Sequence, residues 1–462
     1  MNYKRFTIVI FSLLALVACE KEDINISTSD DSVNEWIEHT MRENYLWYSE
    51  MPSHEELKPD KDPQSFFQTL LSEKDGKDLP EGHHYFSRLE KATTTRSIFD
   101  TNDSYGFDFA VYNMKSKLGT FKTAIILYVL PNSPASDAGL KRGDWILGIN
   151  GPLGSIKDFN ALRNGGSITL HLGKSFGNEI IPGKIVTIEA SRPVEDTPFL
   201  KDSIYFYGNK RIGYLMYNHF ATGPNELDRN DFSYDLHLRR IFTHFKSQDV
   251  NELILDLRYN GGGLLTSAQL LASLIAPKST LGKPMCIMEY NDKNLNNANV
   301  MNFLELSKVE TSNLNLPRLF VLTGTTTASA SELVINSLRP YIDVQLIGEH
   351  TLGKTVGMTV YNESATYGWI LSPVTFRIYN KLHEANYENG FYPNIQINEF
   401  DSELKELGDI HEPLLACAIS EITGASNKTR SSLLDTPQRD IQIIRPNTHL
   451  SDLLIIHEKQ KR

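Results

Sequence analysis

Apolar and polar positions change their period several times along this 462-residue chain. Lys4 and Arg5 precede a mainly apolar run, Phe6 to Val17, which a polar stretch follows over 20–32. From Val33 to about Ser97 the apolar residues fall near helical spacing: Trp36, Ile37, Met41, Tyr45, Leu46 and Trp47, then Phe66, Phe67, Leu70 and Leu71. This pattern predicts a small helical cap over 33–100. Between 103 and 192 the period drops to two. Tyr105 to Val111 alternates like a half-buried strand, and Ala124 to Val129 reads as a fully buried one. From Gly213 the two periods take turns. Gly213–Phe220, Glu252–Leu257, Leu319–Thr323 and Val344–Ile347 read as strands, and Leu236–Phe245, Leu264–Ile275 and Ser331–Leu338 as helices. Such alternation predicts crossover units and a largely parallel sheet covered by helices, an α/β core over 205–424. Past Gly424 the chain turns polar except at Ile441–Ile444, and 425–462 reads as a loosely held tail.

Composition narrows the function classes. Hydrophobic residues make up 40% and charged residues 22%, an ordinary globular balance. The net charge of −11, with no basic run to offset it, excludes a nucleic-acid-binding role. The N-terminal run is too short to span a bilayer and has the form of an export signal. It ends in Leu16-Val17-Ala18-Cys19, which resembles the lipobox of bacterial lipoproteins. That resemblance implies a signal peptide over 1–19, a lipid on Cys19 that holds the chain to a membrane, and a tether over 20–32. Lys21-Glu22-Asp23 resembles a signal for the outer face of the outer membrane, so the expected location is that membrane, on its periplasmic face or at the cell surface. Cys286 and Cys417 are expected to stay unpaired and buried as small apolar residues.

The chain has no HExxH, no GxSxG and no Walker loop, and its Cys and His do not cluster at ligand spacing. No metal or cofactor is expected. One unit does carry chemistry. The strand Leu319–Thr323 runs into Gly324-Thr325-Thr326-Thr327-Ala328-Ser329-Ala330-Ser331-Glu332, and the next strand into Gly348-Glu349-His350-Thr351-Leu352-Gly353-Lys354. In a right-handed crossover both turns emerge at the carboxyl ends of neighbouring strands, where open α/β sheets bind ligands. Ser329 opens a helix and Lys354 arrives on the adjoining turn. Ser329 and Glu332 alone would make a helix-capping box, and Lys354 alone a surface lysine. Beside Gly261-Gly262-Gly263 the pair reads as a nucleophile and its base, because a serine hydroxyl needs a base to take its proton.

Two resemblances carry this further. Pro131 to Gly151, with Ser133-Pro134-Ala135 and Ala138-Gly139-Leu140-Lys141-Arg142-Gly143-Asp144, resembles a PDZ domain, placed at 103–192. That implies a carboxylate-binding loop at Gly106 and Phe107. Leu255-Asp256-Leu257-Arg258-Tyr259-Asn260-Gly261-Gly262-Gly263, Thr327–Glu332 and Gly348–Lys354 resemble the C-terminal processing peptidases, a serine–lysine family with a PDZ insert. The resemblance implies a core like the crotonases and Clp protease, with Ser329 as nucleophile and Lys354 as general base. It implies an oxyanion hole from the amides of Ala330 and Gly263, with Gly262 beside them. Substrates would be proteins or peptides, met through free C-termini. The family usually has Gln four residues past the lysine where this chain has Met358, so Glu332, Thr359 or a backbone carbonyl is expected to orient the amine. A non-catalytic PDZ-containing binding lipoprotein is the alternative, although a binder has no reason to keep both Ser329 and Lys354.

Overall fold

The computed structural model describes residues 29–425, except for breaks at 80–81, 92–102, 117–118, 157–158, 177–178, 225–229 and 298, together with 442–446 and 455–457. The export signal, Cys19 and the tether up to 28 lie outside the described residues. Helices α1 (Asp30–Asn44) and α2 (Pro63–Gln68) begin the fold, capped by Ser29 and Asp62 side chains that accept from Ser32 N and Ser65 N. The helical reading of 33–100 does not extend past them. Lys77–Leu79 and Gly82–His84 form an antiparallel pair, and Arg88–Lys91 pairs with Trp369–Ser372. That partner is distant in sequence, so tertiary pairing overrides the local pattern.

An antiparallel sheet follows in chain order: β1 (Phe107–Ser116), β2 (Gly119–Val129), β3 (Trp145–Ile149), β4 (Ile168–Phe176) and β5 (Glu179–Ile188). A short helix, Pro134–Asp137, is capped by Ser133. The core then opens with the hairpin β6 (Phe199–Tyr207) and β7 (Lys210–Tyr217). Helix α3 (Ser233–Ser247) leads to β8 (Glu252–Asp256), and β9 (Gly263–Leu264) to α4 (Leu265–Ile275). Next come β10 (Pro284–Tyr290), β11 (Asn299–Asn302), β12 (Arg318–Thr323), α5 (Ala330–Leu338) and β13 (Asp343–Gly348). Last are β14 (Val356–Thr359), β15 (Val374–Asn380), β16 (Ile395–Gln396) and α6 (Pro413–Thr423). The main sheet has the order β6-β7-β8-β12-β13-β16, parallel from β7 onward, with Ile254 opposite Phe320 and Arg318 opposite Asp343.

The unbroken apolar run of β8 follows from burial on both faces. Leu253 and Leu255 pack with α3, α4 and α5, while Ile254 packs with α6 and with β1–β3. The N-terminal helices have a different neighbour. Val33, Ile37, Met41, Phe66, Phe67 and Phe86 share one apolar cluster with Leu264, Ala328, Leu352, Val356 and Met358. The cap is therefore a wall of the region that holds Ser329 and Lys354. Cys286 and Cys417 are both buried, and burial pushes the Cys286 thiol up to about 12. Among the described residues no helix is long and apolar enough to cross a membrane. The tail differs from expectation as well. Its strand β17 (Gln442–Pro446) joins the edge of β1, and β18 (Ile455–His457) lies between β9 and β14.

Candidate active site

Three turns meet at the carboxyl ends of β8, β12 and β13. The first, after β8, is held by its own backbone. Asn260 donates Nδ2 to Tyr217 O (2.8 Å) and accepts at Oδ1 from Gly262 N (2.8 Å). Gly262 and Gly263 have φ of 117° and 137°, a region that favours glycine. A Cβ on Gly263 would come within 2.1 Å of Phe220 O. Of the two glycines expected in the oxyanion hole, Gly262 thus spends its amide on Asn260. The second turn is tied to the first: Ala328 N donates to Asn260 O (3.1 Å), and Ser331 Oγ donates to the same oxygen (3.0 Å).

Ser329 sits at the N-cap of α5 with φ 60° and ψ −112°, a strained conformation for a residue with a side chain. Its Oγ is buried and has no hydrogen-bond partner among the described residues. The amide of Ala330, first residue of the helix, belongs to the unpaired donors of the helix start. Glu332 joins this turn to the third. Its fully buried carboxylate accepts at Oε2 from Ser329 N (2.9 Å) and Lys354 N (2.8 Å), and at Oε1 from Gly353 N (2.7 Å) and Thr351 Oγ1 (2.5 Å). The backbones of Ser329 and Lys354 are therefore no further apart than two hydrogen bonds to one oxygen. Burial pushes the Glu332 carboxyl up to about 7, against the pull of these donors.

Lys354 is fully buried, and desolvation lowers its ammonium well below the ordinary lysine range. Arg88 lowers it further, while Asp75 and Glu332 act the other way. Its Nζ lies 3.5 Å from Met358 Sδ and 4.6 Å from the centroid of the Phe86 ring. Met358 thus occupies the expected place of the missing Gln, but as a soft, apolar neighbour. Of the two residues expected to orient the amine, Glu332 bonds the lysine's backbone N–H, and Thr359 Oγ1 pairs with Thr375 Oγ1 at 2.7 Å. Sequence reasoning missed Phe86 and Asp75. Buried Asp75 accepts at Oδ1 from Phe86 N (3.0 Å) and Ser87 N (3.1 Å), and at Oδ2 from Tyr45 OH (2.9 Å), which fixes the Phe86 ring against Lys354. Neither residue belongs to a motif, and their stretch reads only as part of the cap.

At the edge of β1, Gly106 has φ 77°, and a Cβ there would meet Ser133 Cβ at 2.2 Å. Its amide donates to Ser104 Oγ (2.9 Å), and Phe107 follows as the first residue of β1, opposite Val129. This sheet is coupled to the glycine loop. Buried Arg142 donates to Tyr259 OH (2.5 Å) and Glu399 Oε2 (2.6 Å), and Arg258 donates to the same Glu399 oxygen (3.0 Å), to Glu412 (2.7 Å) and to Asp256 (2.8 Å). Among the described residues no group of His, Cys, Asp and Glu is arranged to hold a metal ion.

Comparison with known proteins agrees with this layout. Residues 32–88 match the peptidase S41 N-terminal domain, 125–164 a PDZ domain, and 211–397 peptidase family S41. The carboxyl-terminal-processing protease of Picosynechococcus sp. is 25% identical over 233 residues, which are 50% of this chain and 50% of that protein. The carboxy-terminal processing protease CtpA of Bacillus subtilis is 27% identical over 273 residues, 58% of this chain and 52% of that protein. The chain thus spans about half the length of the curated relatives it matches. A crystal structure from Bacteroides fragilis, described as that of an S41 protease by assignment, is 33% identical with a TM-score of 0.75, covering 85% of this chain and 98% of that one. With that relative matched along nearly its whole length, and the three segments found in the order the site requires, the chain belongs to peptidase family S41.

Proposed function

We propose that the chain is a serine-type endopeptidase with Ser329 as nucleophile and Lys354 as general base. The observation that carries this reading is the fully buried Lys354, whose ammonium desolvation disfavours and whose backbone is tied through Glu332 to the strained turn of Ser329. Attack begins when the neutral amine swings from Met358 onto Ser329 Oγ; such bonds commonly tighten only when substrate is bound. Oγ adds to the scissile carbonyl as its proton passes to Lys354. The amides of Ala330 and Gly263 receive the oxyanion, each such donor contributing about 3–4 kcal/mol. Lys354 then returns the proton to the leaving amine, and water, activated by the same amine, releases the acyl group.

The substrates we infer are exported proteins cut near their C-termini. The names of the Picosynechococcus and Bacillus relatives support this, as does the loop at Gly106 and Phe107. A free terminal carboxylate there makes charge-assisted hydrogen bonds worth about 1.5–3 kcal/mol each. A peptide with a free apolar C-terminus is therefore expected to be cut with at least about tenfold higher kcat/KM than its amidated twin. Equal rates would end the tail-specific reading and leave the serine–lysine chemistry standing. Attachment to a membrane through lipid on Cys19 rests on Leu16–Cys19, and the outer-membrane destination on Lys21-Glu22-Asp23. Cys19→Ser is expected to abolish incorporation of labelled fatty acid; labelling that persists would reject the anchor.

A further inference from the structure

The two tail strands pair at the edge of β1 and in the gap between β9 and β14. Strand β17 runs antiparallel to β1, with Gln442 opposite Asn113, Ile443 opposite Tyr112, Ile444 opposite Val111 and Pro446 opposite Ala110. Its direction carries the chain toward Gly106 and Phe107, as a peptide added to this edge would travel to reach the carboxylate loop. Strand β18 lies parallel to β9 on one side, with Ile455 opposite Gly263 and Ile456 opposite Leu264. On its other side it is parallel to β14, with Ile456 opposite Met358 and His457 opposite Thr359. Gly263 is the glycine whose amide we assign to the oxyanion, and Met358 is the residue beside the Lys354 amine. A strand has two edges, and here both facing edges are taken by the tail. A second extended chain cannot use the same N–H and C=O groups at the same time. The sequence suits the role: Leu453-Leu454-Ile455-Ile456 and Ile441-Gln442-Ile443-Ile444 are apolar and rich in β-branched residues.

We propose that the edge of β1 and the gap between β9 and β14 are strand-addition sites for extended, apolar polypeptide, and that the chain's own residues 442–446 and 455–457 occupy them in cis as a displaceable competitor of substrate. The proposal rests on the peptidase reading only in calling the competitor's rival a substrate; the sites themselves are defined by strand pairing. A segment tethered to its own site acts at an effective concentration on the order of 1 mM. A tail whose free peptide binds with a Kd of about 0.1 mM would then raise the apparent KM by about tenfold without touching kcat.

The test uses the full chain with Ile456→Pro, because proline removes the N–H and does not fit between two paired strands, and separately Ile443→Pro, on the strand paired with β1 alone. Steady-state cleavage of a free-C-terminus peptide is expected to show KM lowered about tenfold in Ile456→Pro with kcat unchanged. A synthetic peptide of residues 440–460 added in trans should restore the higher KM competitively. A binding arm does not depend on turnover. Fluorescence anisotropy of the labelled 440–460 peptide should show about tenfold tighter binding to Ser329→Ala/Ile456→Pro than to Ser329→Ala alone. Equal binding to both proteins overturns the proposal, as does an unchanged KM in both proline variants. A KM that rises with enzyme concentration, which a tail donated by a second copy would produce, overturns the cis arrangement. If no variant turns over substrate, the peptidase reading has failed, and the binding arm alone decides this one.

Discussion

Replacing Lys354 with arginine is expected to remove cleavage as completely as Ser329→Ala, a fall in kcat/KM of at least about 10⁴-fold. Arginine stays charged at any working pH and cannot accept the serine's proton. The site is also closed to a permanent charge, since Lys354 is fully buried between the Phe86 ring and Met358. Lys354→Met, which fits the apolar wall, should be equally inactive but stable, so that loss of fold and loss of base are separated by a thermal melt. Turnover retained in the arginine variant would remove Lys354 from the mechanism. The pH dependence follows from the same burial. The amine is a base only when unprotonated, so kcat/KM of the unaltered enzyme should rise with pH through a midpoint below the ordinary lysine range. Phe86→Leu removes a ring face that favours the ammonium and should move that midpoint lower still, while Phe86→Tyr should leave it in place. Stability has the matching sign. Below the ordinary lysine pKa and above the lowered one, the unfolded chain binds more protons at this residue than the folded one. Folding stability therefore gains with pH across that window, and Lys354→Met should remove the gain.

How much of this could be read from the sequence depended on how far each feature reaches for its partner. The strands and helices of the core were legible because both faces of β8 and nearly all of β12 are buried, leaving apolar runs with ends displaced by only one or a few residues. The Ser329 turn was legible because helix start and motif coincide there. Arg88–Lys91 was not: this strand pairs with Trp369–Ser372, a partner the local pattern does not reveal. The same is true of the tail, whose Ile441–Ile444 was visible as an apolar piece but whose partner, β1, lies more than three hundred residues earlier. Phe86 reaches Lys354 only through the packing of the cap on the core, held by Asp75 and Tyr45. Glu332 was half legible. Its spacing from Ser329 announced the capping bond, and nothing announced that one carboxylate would also hold Thr351, Gly353 and Lys354.

That shared carboxylate makes Glu332→Gln the second large effect. The two residues have nearly the same shape, so packing is little disturbed. The glutamate accepts four hydrogen bonds, two at each oxygen, from Ser329 N, Lys354 N, Gly353 N and Thr351 Oγ1. A glutamine amide offers one oxygen and turns an NH₂ group toward two of those donors. Whichever way it lies, two buried donors lose their acceptor, at about 1–3 kcal/mol each. One orientation breaks both bonds of the Ser329–Lys354 link, and the other loosens the Thr351–Gly353 turn. The expected outcome is a fall in kcat/KM of about 10²–10³-fold, with about 2–6 kcal/mol lost in chemical denaturation. A variant that keeps its activity within about threefold would show that the two turns are held by other bonds. The pH profile supplies a separate readout. Burial raises the Glu332 carboxyl to about 7, so the folded protein takes up its proton before the unfolded chain does. This group's contribution to stability therefore falls as pH rises from about 4.5 toward 7, whereas the four donors need the ionised form present above that range. Activity of the unaltered enzyme should accordingly lose a second increment as pH drops through about 7, beyond what protonation of Lys354 takes away. In Glu332→Gln that increment should be absent, leaving a shallower limb governed by Lys354 alone.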